Sequence, residues 1–167
     1  VYTITMNEFE IIIRLVLALI LGSLIGVERV HAGKNAGIRT LGLVALGSAF
    51  FVVISEVIVE RYNYAIDPLR MSANIISGIG FLGAGMIVFR DDHLANLTTA
   101  AGVWVAAAIG TAVGFGMYWS SIVVSLLVII TFTVMWNFEH RIREHFNGKK
   151  EEPVTSDLTT AGTDVAK

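Results

Sequence analysis

Apolar residues in this chain gather into five long runs, 9–27, 40–59, 71–89, 98–113 and 118–136, parted by short polar connections. Each run holds 16 to 20 residues. At about 1.5 Å of rise per residue, a helix of that length reaches about 24–30 Å, close to the thickness of a bilayer's hydrocarbon core. The pattern therefore predicts an all-α polytopic membrane protein with five transmembrane helices, occupying residues 9–137. Residues 1–8 are expected to form an external N-terminal tail. Residues 138–148 carry on at helical spacing through Phe138, Ile142 and Phe146, with Arg141 and Arg143 on another face, and read as an amphipathic juxtamembrane extension. Residues 149–167 are polar throughout and are expected to be a disordered tail.

Small residues recur at helical spacing inside these runs. Ala18, Gly22 and Gly26 form one stripe, and Gly102, Ala106, Gly110 and Gly114 form another, each suited to a close helix–helix approach. The third run is the most unusual, with Gly78, Gly80, Gly83 and Gly85 falling within nine residues. Glycine in a helix interior costs about 1 kcal/mol against alanine. Four of them are expected only where a missing side chain is useful, for packing or for a local break that opens backbone to a cavity. Packing within the bundle is the expectation, with one of the stripes left for a homodimer. Gly78, Gly80 and Gly83 also satisfy G-x-G-x-x-G, yet no preceding strand or βαβ context accompanies them, so dinucleotide binding is excluded.

Composition agrees: 54% of residues are hydrophobic and 16% charged, well below the share of charge in a soluble domain. The chain has no cysteine, which removes disulfides, thiol catalysis and thiolate metal sites. The first run has no basic leader and no small-residue cleavage site, so it reads as a transmembrane helix and not as a signal peptide. Lys and Arg outside the runs number nine in the one–two loop, the three–four loop and the tail, against two on the other side. The positive-inside rule then puts the N-terminus outside and the C-terminus in the cytoplasm.

A few polar residues stand out. Arg14 lies about 9 Å into the first helix, where an unpaired charge is costly. Glu56 sits at a compatible depth on the second helix, and Glu10 lies four residues from Arg14 on the same face. The group reads either as a structural ion pair or as the lining of a polar pocket open to the outside. Asp67, Arg70 and Asn74 share a face at the entrance of the third helix, with Asp67-Pro68 expected to cap it. Asn74 serves either as an interhelical hydrogen-bonding group or as an oxygen ligand for a hydrated Mg²⁺, with Asp67 or Glu56 supplying charge. Glu28, Arg29 and Arg39 bracket the one–two loop and read first as charges that mark the membrane interface, with a Glu28–Arg39 clasp as the next option. Asp91, Asp92 and His93 resemble a metal cluster but lie in a short loop, and His140 and His145 are spaced wrongly for two ligands on one helix face. No nucleophile–base pair or HExxH motif appears, so no enzymatic activity, no cofactor other than a candidate Mg²⁺, and no nucleic-acid partner is expected.

Four motifs in order carry a resemblance. Arg14-Leu15 with Leu21-Gly22-Ser23-Leu24-Ile25-Gly26-Val27-Glu28-Arg29, then Ala36-Gly37-Ile38-Arg39-Thr40, then Asp67-Pro68-Leu69-Arg70 followed by Ile76 to Gly85, then Leu97-Thr98-Thr99-Ala100-Ala101 with Trp104 and Ile109-Gly110, resemble the signature of the MgtC/SapB membrane proteins. The resemblance implies a bacterial inner-membrane protein tied to magnesium homeostasis, acid tolerance and virulence. Its best-known member is thought to act on other membrane proteins, the F-type ATP synthase among them. The family's important residues correspond here to Arg14, Glu28, Arg29, Arg39, Asp67, Arg70, Asn74 and the glycines. Asn74 stands where the family usually has Gln, and Ala95-Asn96 where it commonly has Arg-Gly. About 30 residues follow the fifth run, against a folded cytoplasmic domain in longer members. Two functions are expected from this: regulation of other membrane proteins, or transport of a divalent cation.

Overall fold

A computed structural model describes residues 7–62, 67–90 and 93–147. Residues 1–6 of the expected external tail, the whole 149–167 tail, and Asp91 and Asp92 of the suggested metal cluster lie outside the described residues. Five helices and one hairpin make up the rest: α1 Glu8–His31, α2 Ile38–Tyr62, α3 Pro68–Met86, β1 Val88–Arg90, β2 His93–Ala95, α4 Leu97–Gly114 and α5 Tyr118–Asn147.

The caps explain most of the boundaries. The Asn7 side chain accepts from the Phe9 N–H at the start of α1, with Glu8 and Glu10 in the first turn where the helix dipole favours acids. Gly33, at φ +65°, ends that helix, and the Lys34 N–H returns to the Arg29 carbonyl at 2.9 Å. Asp67 caps α3 by accepting from the Leu69 N–H at 2.9 Å, with Pro68 in the first turn. α1 and α2 run past the apolar stretches that predicted them because Glu28, Arg29, Glu60 and Arg61 are good helix formers.

One further boundary differs from expectation. The third helix stops at Met86 instead of residue 89, and Val88–Arg90 pairs antiparallel with His93–Ala95. β-branched and aromatic residues follow a glycine-weakened helix end there, and a strand suits them better. The fifth helix carries on past residue 137 without interruption to Asn147, the continuation at helical spacing read from Phe138, Ile142 and Phe146. Its residues to Thr133 belong to the compact unit that holds the other helices, and Val134–Asn147 forms a helical unit of its own.

Within the first unit α2 is the hub, packing on α1, α3 and α4. Small residues set the spacing. A Cβ on Gly22 would lie 2.5 Å from the Leu41 carbonyl and 2.7 Å from the Ala45 Cβ, and one on Gly26 would lie 2.5 Å from the Ile38 Cα. On the other flank of α2, a Cβ on Gly110 would run into the Ala45 carbonyl, and one on Gly114 would sit 2.7 Å from the Val52 Cβ. Ala45 is thus gripped by a glycine from each neighbouring helix and is wholly buried. Ala18, Leu21, Ile25, Leu41, Val103, Ile109 and Val113 fill the core around this contact. α5 closes it with Ile122, Val128, Ile129 and Phe132, and its buried Ser121 and Ser125 return their hydroxyls to carbonyls four residues back.

The stripe of Gly102, Ala106, Gly110 and Gly114 is therefore consumed inside the chain, Gly102 against the Phe132 ring, Gly110 and Gly114 against α2 and Ala106 wholly buried, and it offers no free face for a homodimer. The α3 glycines do the reverse of what was expected. Gly78, Gly80 and Gly85 have nothing within 4 Å of where a Cβ would be, and Gly83 only the Ala100 methyl at 3.9 Å. α3 is nonetheless one continuous helix through all four, so the glycine run opens no break.

Large apolar side chains cover the outside, among them Phe9, Ile12, Leu24, Leu43, Phe51, Phe81 and Leu127. α1, α2, α4 and Tyr118–Met135 of α5 are each long and apolar enough to cross a bilayer. A water-soluble protein could not expose so much apolar surface, and the all-helical core marks a membrane protein. α3 falls outside that set of four because Arg70, Asn74 and the glycines dilute its hydropathy.

Candidate functional site

Polar groups gather at the two ends of α1. At the first end Arg14 is 7% exposed and holds three acceptors from three helices. Its Nη2 donates to Glu10 Oε1 at 2.6 Å, and its Nη1 donates to Glu56 Oε2 at 2.7 Å and to the Gly114 carbonyl at 2.6 Å. Glu10 comes from the preceding turn of α1, Glu56 from α2, and Gly114 is the last residue of α4. The guanidinium therefore caps the negative end of the α4 dipole while paired to two carboxylates. Gly116, at φ +75°, turns the chain toward α5 directly beside it, and a Cβ there would come within 3.3 Å of Nη2. This is a closed clasp. Glu10, Glu56 and Gly114 each give one oxygen to Arg14, and the net charge of the trio is one negative.

Asp67, Arg70 and Asn74 do not join it. Asp67 is exposed and occupied with its cap, and Arg70 is exposed. Asn74 lines a groove of about 490 Å³ between α2 and α3, whose other walls include Leu43, Val44, Phe51, Ile75, Gly78 and Leu82. Ser48 is the one other polar side chain there, and no carboxylate reaches the groove. That donor set does not fit Mg²⁺, which takes carboxylates and waters in octahedral array. Among the described residues no three His, Cys, Asp or Glu side chains stand close enough to share a metal.

At the other end of α1 the arrangement is looser. Arg29 is 4% exposed and stacks over the Phe132 ring at 4.2 Å. Its Nη2 donates to Thr98 Oγ1 at 3.4 Å, and Glu28 Oε2 lies 3.6 Å from its Nη1. The optional Glu28–Arg39 clasp is not formed: Arg39 is exposed at the surface, and Glu28 faces Arg29 instead. Nearby, Asn35 Nδ2 donates to Asn96 Oδ1 and Asn96 Nδ2 to the Met86 carbonyl, both at 3.2 Å, which ties the one–two loop to the end of α3 and the start of α4. Asn96 holds φ +67°, a left-handed conformation that glycine adopts freely and asparagine tolerates. Asn96 thus serves where the resembling family commonly has Gly. The Asn35–Asn96 link was missed from the sequence because its bonds join the one–two loop to the end of α3 and the start of α4, residues far apart along the chain.

The profile of the MgtC family matches residues 15–141, which takes in α1 through most of α5 and both clusters apart from Glu10 and Arg14. The chain belongs to the MgtC family. It is 40% identical over 137 residues to the Escherichia coli K12 protein "Putative magnesium transporter YhiD", covering 80% of this chain and 64% of that one. It is 35% identical over 139 residues to Protein MgtC of Salmonella typhimurium, covering 83% of this chain and 58% of that one. The chain spans about three fifths of the length of these curated relatives. No solved structure matches it.

Proposed function

We propose that this MgtC-family chain serves magnesium homeostasis and stress adaptation as a regulator that binds other membrane proteins, without catalysis. In this reading five helices cross the bacterial inner membrane with the N-terminus outside, and the excess of Lys and Arg in the one–two loop, three–four loop and tail supports that orientation. One observation carries the regulatory reading. Glu10 and Glu56 at the Arg14 end are paired to a buried arginine, while α3 turns a glycine-rich, apolar face outward with Phe81 80% exposed. A transporter needs polar groups held open along a path, whereas an interaction protein needs a helix face that its own fold leaves uncovered.

The second reading, divalent-cation transport, draws on the name of the Escherichia coli relative and on the polar Asn74 in the α2–α3 groove. Magnesium flux into liposomes holding the purified chain separates the two. Regulation expects flux no greater than empty liposomes. It also expects cross-linking from α3 to a membrane protein in native membranes, for which the F-type ATP synthase is the first partner to test. Flux that Asn74→Leu removes, from protein shown to be folded, would establish transport instead.

A further inference from the structure

The groove between α2 and α3 holds two polar groups that the chain itself leaves unused. Ser48 is 4% exposed and lines the groove, yet its hydroxyl makes no hydrogen bond among the described residues and keeps open surface. Ser77, Thr111, Ser121, Ser125 and Thr131 each return theirs to the carbonyl four residues back. Asn74, on the facing wall, is exposed and also makes no hydrogen bond among the described residues. In hydrocarbon an amide or hydroxyl without a partner is costly. A ligand that fits this groove brings acceptors as well as apolar bulk.

The shape narrows the choice. The groove follows α3 from Met71 to Leu82, about 16 Å along the helix. Spread over that length, its volume of about 490 Å³ makes a slot of about 30 Å² in section. A helix with its side chains is about 10 Å across and fills about 80 Å², so a helix of a partner or of a second copy does not enter it. A hydrocarbon chain, one methylene wide, does. Gly47 and Gly78 keep the slot open, since each lines it with nothing within 4 Å of its absent Cβ. The polar groups are graded along its length. Arg70, exposed and without an ion pair among the described residues, lies beyond the rim, one turn before Asn74 on the same face of α3. Asp67 beside it spends one carboxylate oxygen on the Leu69 N–H. Val52 and Ile75 share a buried cluster, which places Ser48 one turn of α2 further in than Asn74. Leu43, Val44 and Leu82 at the far end are apolar.

We propose that this groove binds a diacyl phospholipid. One acyl chain fills the slot, the two ester carbonyls accept from the Asn74 amide and the Ser48 hydroxyl, and the phosphate meets Arg70. Phosphate, esters and hydrocarbon follow one another along a lipid in the order in which the groove offers a cation, donors and apolar walls. The site lies beside the outward Phe81 face of α3 and leaves that face free. The proposal rests on α3 crossing the bilayer, as in the function proposed above. Lipid retention is measured without ion flux or partner capture, so its failure is distinct from failure of the regulatory reading.

The test titrates dioleoyl phosphatidylglycerol into the delipidated full chain in a non-ionic detergent and counts bound lipid by native mass spectrometry. Three variants are compared: Gly78→Leu, which fills the slot; Ser48→Ala, which removes one donor; and Gly80→Leu, the same added side chain outside the groove. The expected result is one lipid held per chain. Gly78→Leu and Ser48→Ala each weaken it at least threefold, Gly80→Leu keeps it within twofold, and circular dichroism and thermal midpoint are held. Dioleoylglycerol, which has the same two esters and no phosphate, is expected to bind at least threefold more weakly. No retained lipid, a smaller loss in either groove variant, or equal binding of dioleoylglycerol overturns the proposal. So does a matching loss in Gly80→Leu, which assigns the lipid to the general annulus. A dimer mass that Gly78→Leu removes puts a second copy in the groove and overturns it too. Should Gly78→Leu fail to fold, Ser48→Ala decides alone.

Discussion

α3 and α4 are both glycine-rich helices with small residues at close-packing spacing, and the fold treats them in opposite ways. In α4 the glycines are spent: Gly110 and Gly114 touch the backbone of α2, and Gly102 rests against Phe132. In α3, Gly78, Gly80 and Gly85 face open space. A small-residue stripe states how near a neighbour could come. It does not state that the chain itself provides the neighbour. The filled stripe builds the bundle, and the unfilled one is the surface on which the regulatory reading rests.

Substitutions can break this contrast. The largest effect is expected from Gly110→Leu, which drives a side chain into the Ala45 backbone. α2 cannot retreat from α4 without pressing Ala45 into Gly22 on its other flank, so a loss of about 3 kcal/mol is expected. It would be read as a lowered thermal midpoint or aggregation on extraction. A Gly110→Leu protein of parental stability would show that α2 and α4 are not as close as described.

Next comes Arg14→Ala. It leaves two carboxylates facing each other and an uncapped α4 end. Because Glu10 and Glu56 keep 37% and 28% of their side-chain surface, the expected loss is about 2 kcal/mol, below that of a fully buried pair. Glu56→Gln keeps an acceptor for Arg14 and should cost about 1 kcal/mol or less. Denaturation of both variants in one detergent ranks them, and equal losses would show that Arg14 stabilises the fold almost wholly through the charge of Glu56.

The smallest expected effect is that of Gly80→Ala. With nothing near the added methyl, the helix gains up to about 1 kcal/mol. Gly80→Leu, equally free of clashes inside the chain, should keep the fold while reducing any cross-link from α3 to a partner. A destabilised Gly80→Ala protein would mean that this face is covered in the membrane by something the isolated chain does not contain.

Much of the Arg14 clasp was legible. Glu10 lies one turn away, and Glu56 was placed at matching depth; the structure pairs all three. The Gly114 carbonyl was not legible, since a backbone acceptor leaves no mark in the sequence. Asn74 was placed on the right helix, yet its grouping with Glu56 assumed a helix rotation that α3 does not adopt, and it faces an apolar groove. A Glu28–Arg39 clasp was only the second option for these charges, suggested because they flank one loop. The turn at Gly33 sends them apart.

Hydropathy, small-residue spacing and the four ordered motifs settle the membrane class, the five helices and the family before any coordinates, because each is a property of neighbours along the chain. Which stripe is filled, which arginine is closed off and which polar groups line the α2–α3 groove depend on how each helix is turned about its axis and on what the connecting loops let it meet. Those are contacts between residues far apart in sequence, such as Gly110 with Ala45 or Arg14 with Gly114, and packing alone selects them.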